Sequence, residues 1–247
     1  MLKHLSADKP YYFSAKYGKD ISVNAILGIV EKEYNIELIM QFCKEKKEVT
    51  FPVLQGMLME WEKSTVTYEK LTNDLLEDCV KLQGNTLLKL QGKENDRNTY
   101  IRNLLKARKY HVSDQTLNGT APGGKSAGEL DLLIENVQYQ PFAVLEALSL
   151  NSLKEAYLAE HINKLYDYDT WGLAGNYLLV YAEVKDFAGF CRKYQSFISK
   201  FEYPYPLLRV TLGDASGYSE YADIRVFETL LSRNEKNTRI IHILVKI

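Results

Sequence analysis

Apolar positions recur at helical spacing through the first third of the chain, with Ile26, Ile29, Val30 and Tyr34 forming one set and Met57, Leu58 and Trp61 another. Leu71, Leu75, Leu76 and Val80 form a third. The spacing predicts helices between about Ile21 and Leu90, broken by a turn at the charged run Lys44 to Glu48 before Pro52. Gly84-Asn85 and Gln91-Gly92-Lys93 punctuate the end of this region and place a domain boundary near Gly92, dividing a helical 1–92 from 93–247.

The period then changes. Glu94 to Lys109 predicts a helix, with Tyr100, Ile101, Leu104 and Leu105 on one face and Lys106, Arg108 and Lys109 near the last turn, where cations favour the helix dipole. Tyr110 to Leu117 reads as a weakly alternating strand, and Asn118 to Gly128 as a loop rich in small and turn-forming residues. Two strands follow, Glu129 to Ile134 and Phe142 to Leu148, joined by the polar stretch Glu135 to Pro141. A helix over Ser152 to Tyr166, a buried strand over Tyr177 to Tyr181, a helix over Phe187 to Phe201 and strands at Leu207 to Thr211 and Ile240 to Ile247 complete the pattern. Strands alternating with helices predict an α/β domain with a mixed sheet. No internal repeat or low-complexity segment stands out.

Composition adds little to the pattern. The chain has 247 residues, 46% of them hydrophobic and 26% charged, with a formal net charge of -1, which describes an ordinary globular protein. No stretch of 18 apolar residues predicts a membrane span and the first residues lack a secretory pattern, so a cytoplasmic location with no membrane partner is the default expectation. Cys43, Cys79 and Cys191 lie far apart without a CxxC spacing, which argues against a zinc site or a disulfide framework. The near-neutral balance leaves any nucleic-acid-binding face to be a local feature.

Glu146 is the most informative residue. It is a single carboxylate between Leu145 and Ala147 in an otherwise apolar strand, where a charge is costly unless it is paired or bound to a metal. If the two strands pair as a hairpin, Asp131 and Glu146 converge. Two such acids suit a hard divalent cation, which prefers oxygen ligands and in phosphodiester hydrolysis orients water and stabilises charge on the phosphate. Glu129 joins Asp131 on one face if the strand stays regular.

Glu94 on the helix, Gly128-Glu129-Leu130-Asp131-Leu132-Leu133-Ile134 and Val144-Leu145-Glu146-Ala147-Leu148 together resemble the PD-(D/E)XK nuclease superfamily, from Glu94 to about Val180. The resemblance implies a restriction-endonuclease-like α/β fold and cleavage of nucleic acid, DNA first, with Mg²⁺ or Mn²⁺. Asp131 and Glu146 would be catalytic and would ligate the metal, with Glu129 or Glu94 assisting. It also suits a host-defence system in which partner subunits supply recognition. The family's lysine two positions after the glutamate is Leu148 here. Lys125, in the loop entering the Asp131 strand, and Lys164, one helical turn after His161, are the candidate substitutes that could supply its positive charge. A domain that has lost its chemistry and only binds nucleic acid or a partner protein is the alternative. His161 reads as a packing or surface residue, or as a supporting base.

Gly119-Thr120-Ala121-Pro122-Gly123-Gly124-Lys125-Ser126 fits the phosphate-loop pattern GxxxxGK[ST]. That loop works when a helix begins at its Lys-Ser and directs its dipole at the phosphates; here a strand-type run follows. Nucleotide hydrolysis is therefore set aside. The glycines would instead let the loop lie close to a nucleic-acid backbone.

Overall fold

The computed structural model describes residues 66–118, 128–136, 138–211 and 221–247, with the side chains of 114–118 and 128–130 undescribed. The helices expected before residue 66, the glycine loop and Lys125 lie outside the described residues. The side chain of Glu129 does so too.

Helix α1 (Tyr68–Gly84) starts where the Thr67 hydroxyl accepts the Lys70 amide at 3.1 Å. Its Leu71, Leu75, Cys79 and Leu82 share one face and are fully buried. The short α2 (Thr86–Leu90) is capped by the Asn85 side chain. At Gly92 a Cβ would lie 2.5 Å from the Leu88 carbonyl oxygen, so the chain turns there through a space that only glycine fits. Helix α3 (Glu94–Ala107) begins with the Asp96 carboxylate accepting the Lys93 amide at 2.9 Å. Residues 66–247 cluster as one compact unit, so the expected boundary near Gly92 falls inside it.

Seven strands, β1 (His111–Asn118), β2 (Gly128–Glu135), β3 (Pro141–Leu150), β4 (Gly175–Ala182), β5 (Leu207–Thr211), β6 (Ile224–Arg233) and β7 (Lys236–Lys246), form one mixed sheet among the described residues. Its order is β1-β2-β3-β4-β7-β6-β5. The centre β3-β4-β7 is parallel and both wings are antiparallel. Every residue of β4 is buried, as expected of a central strand covered on both faces. Helix α4 (Glu155–Tyr168) connects β3 to β4, and α5 (Phe187–Lys200) follows β4.

Two apolar cores flank the sheet. One joins α1 and α3 to Leu132, Ile134, Leu145, Ala147 and Tyr181; the other joins α4 and α5 to Leu133, Val144, Leu148 and Val180. Alternate residues of β2 and β3 therefore serve opposite cores. The expected α/β mixed sheet is present. The sequence pattern missed β6, which pairs with β7 through a hairpin whose Asn234 and Glu235 both take positive φ, 50° and 64°. No described helix is long and apolar enough to cross a membrane.

Candidate functional site

Leu132 pairs with Leu145 across β2 and β3, and Asp131 and Glu146 are the next residues along their strands. Glu146 shares the parity of Val144 and Leu148, and Asp131 that of Leu133, so both acids belong to the sheet face that α4 covers. Beyond the Leu132 pair a side chain replaces a backbone partner: Asp131 Oδ2 accepts the Ala147 amide at 2.8 Å. Glu94, at the start of α3, reaches the end of β3, where its Oε2 accepts the Ser149 amide at 2.6 Å. Three carboxylates from a helix and two strands are thus gathered along one short stretch of β3.

Glu146 is 3% exposed. Its Oε1 lies 3.1 Å from His161 Nδ1 and 3.8 Å from Lys164 Nζ, side chains one turn apart on α4. Its Oε2 is buried and makes no hydrogen bond, and neither does His161 Nε2. Burial pushes the Glu146 carboxyl up to about 8, with Lys164 opposing and Glu94 reinforcing the shift. Burial, with the nearby Glu146 charge adding to it, pushes Asp131 up to about 7. Burial and the Lys164 charge both lower the basicity of His161 and so favour the neutral ring. Its edge meets the Tyr157 ring at 4.5 Å.

Burial is the main cause of both shifts and the neighbouring carboxylates add to it, so the charged form of either acid is incompletely compensated here. Hard carboxylate oxygens of this kind fit Mg²⁺ or Mn²⁺, and the unpartnered Glu146 Oε2 is an oxygen such an ion could use. As arranged, one oxygen each of Asp131 and Glu94 is engaged by a β3 amide, and no group of three His, Cys, Asp or Glu among the described residues is set to hold a metal ion.

Of the residues expected from sequence, Asp131, Glu146, Glu94 and Lys164 come together here. Arg97, one helical turn after Glu94, turns to Glu183, with Nη1 2.6 Å from Oε1 and 3.4 Å from Ser149 Oγ. His161 is the residue the sequence reading undervalued, being buried and bonded to Glu146 rather than solvated. Tyr157 was missed, although Tyr157, His161 and Lys164 lie at helical spacing and so line one face of α4. Leu148 is fully buried in the apolar layer beside α4.

No family model, curated protein or solved structure matches this chain.

Proposed function

We propose that the chain is a divalent-metal-dependent nuclease with a restriction-endonuclease-like core, acting on nucleic acid with DNA as the first substrate to test. The observation that carries this reading is Glu146, a buried carboxylate with one unpartnered oxygen that Asp131 and Glu94 accompany. The chain order of α3 with Glu94, β2 with Asp131, β3 with Glu146 and α4 with Lys164 supports it, because it follows the order that the resemblance implies.

In this reading Asp131, Glu146 and Glu94 would hold the cation. When bound, Mg²⁺ or Mn²⁺ supplies Lewis-acid activation of water and neutralises charge on the phosphate. Lys164 takes the part of the lysine that Leu148 replaces, offering an ammonium 3.8 Å from Glu146 to a phosphate oxygen or to the attacking water. His161 orients the Glu146 carboxylate through Nδ1 and keeps Oε1 directed toward α4. A setting in host defence with partner subunits belongs to the same proposal.

One observation favours a second reading, a nuclease-fold subunit without activity. Asp131 and Glu94 each satisfy a β3 amide, which gives both carboxylates a structural use independent of any metal. Incubating plasmid and a single-stranded oligonucleotide with Mg²⁺ or Mn²⁺ separates the two. Cleavage by the wild type that Asp131→Ala and Glu146→Ala abolish, and that Lys164→Met reduces by about 10²-fold or more, supports the nuclease. Intact substrate in every lane supports the binding subunit.

A further inference from the structure

Far from the acids, the other end of α3 opens on a cleft of about 500 Å³ lined by Lys106, Lys109, His111, Ser113, Glu135 and Tyr139. Lys106 lies about 18 Å along the helix axis from Glu94, at 1.5 Å per residue. Both lysines are exposed. Tyr139 is 66% exposed, yet its ring lies against the His111 ring, with centroids 4.0 Å apart and planes tilted by 42°, so the side chain is held in place at one side.

Two backbone features converge on this cleft. Lys109 has φ 69° and Tyr139 has φ 59°, a region that side chains with a Cβ enter at a cost. Lys109 follows the end of α3 in the closing turn, with its amide on the Lys106 carbonyl at 2.9 Å and the Tyr110 amide on the Leu105 carbonyl at 3.1 Å. Helices that close in this way usually place glycine at that position. Tyr139 sits in the β2–β3 turn, its amide on the Asn136 carbonyl at 3.0 Å, while Asn136 Oδ1 accepts the Gln138 and Gln140 amides. Glycine or asparagine would be the less costly occupant here too.

The only other positive-φ residues besides glycine among those described, Asn234 and Glu235, are accounted for by their two-residue hairpin. At Lys109 and Tyr139 the turn alone accounts for the conformation and not for the side chain. Each keeps a long side chain where none is needed for the turn, and both line one cleft. Two ammonium groups beside a supported, exposed aromatic ring form the combination that single-stranded nucleic acid uses: cations for the backbone and a platform for a base.

We propose that this cleft is a second contact for single-stranded nucleic acid, with a base stacked on Tyr139 and adjoining phosphates held by Lys106 and Lys109. The inference rests on the chain acting on nucleic acid and not on cleavage. The test is fluorescence anisotropy of a labelled oligothymidylate with the full chain in EDTA, alongside thermal melting, for wild type, Tyr139→Gly, Lys109→Gly and Lys106→Gln.

Tyr139→Gly should weaken binding about 5-fold to 150-fold. Lys106→Gln and Lys109→Gly should each flatten the slope of log affinity against log salt by about 0.7. Because glycine relieves the backbone cost, both glycine variants should melt at or above the wild-type temperature. Unchanged binding in the glycine variants overturns the inference, as does a wild type that does not bind the oligonucleotide. If the oligonucleotide binds through the cleft while both it and plasmid stay intact with Mg²⁺ or Mn²⁺, the nuclease reading fails and this one stands. If DNA is cut while the cleft variants bind as wild type does, the reverse holds.

Discussion

Replacing Glu146 by glutamine isolates the electrostatic cost of the acidic site. The side chain keeps its shape and an oxygen for His161, but the charge is gone. In the folded chain the Glu146 carboxyl is pushed up to about 8, chiefly by burial, against an ordinary value of 4.5. A carboxyl raised in this way is held protonated by the fold. Its contribution to stability is therefore fully present below the ordinary value and is withdrawn as pH rises toward 8. Each decade withdraws about 1.4 kcal/mol, so the upper bound is about 5 kcal/mol, and coupling to Asp131 and local relaxation reduce this to about 2–4 kcal/mol. Urea denaturation near pH 5 and pH 9 reads it directly. Glu146→Gln should match wild type within about 1 kcal/mol at the lower pH and exceed it by about 2–4 kcal/mol at the higher. Equal differences at both pH values, or a less stable variant near pH 9, would refute the claim that Glu146 is an incompletely compensated buried acid.

The acid side of the pH profile should be governed elsewhere. His242, fully buried between Tyr194 and Thr229, is held down to about 3 by burial, so its contribution to stability is present above its ordinary 6.5 and lost as pH falls toward 3; His242→Gln should flatten that limb of a urea titration. Asp169, 1% exposed, accepts the Gly172 and Leu173 amides, Asn176 and Arg233, so Asp169→Ala should cost about 3–5 kcal/mol in the same assay by leaving Arg233 without its partner. At Gly175 a Cβ would lie 2.8 Å from the Tyr68 ring, and Gly175→Ala should cost about 1–3 kcal/mol by overpacking β4 against α1.

Much of the α/β pattern was legible because apolar periodicity reports burial directly. The runs at Phe142 to Leu148 and Tyr177 to Tyr181 fall in strands covered on both faces, and Leu71, Leu75 and Leu76 mark a buried helical face. Strand β6 was not legible. Its core positions are interrupted by Glu228, Thr229 and Ser232, and its turn, Asn234-Glu235, lacks the glycine that usually signals a hairpin. Thr229 is nevertheless fully buried because it bonds to His242 on β7, a pairing that only the sheet order brings about.

The same division runs through the candidate site. Glu146 stood out as a lone charge in an apolar strand, and Asp131 followed from hairpin pairing. Their partners on α4 did not stand out. Which face of that helix meets β3 depends on the crossover to β4, so His161 could be read as solvated until the helix was placed. Lys164 could be offered only as one of two lysines for the same reason.

The central question is whether these carboxylates share a divalent cation. Calorimetric titration of Mn²⁺ into the metal-free wild type, Asp131→Asn and Glu146→Gln near neutral pH measures this without requiring cleavage. The wild type should show one saturable site with proton release on binding, because Asp131 and Glu146 must ionise, and each variant should bind at least about tenfold more weakly. Identical isotherms for all three proteins, or no saturable heat in the wild type, would contradict a shared cation.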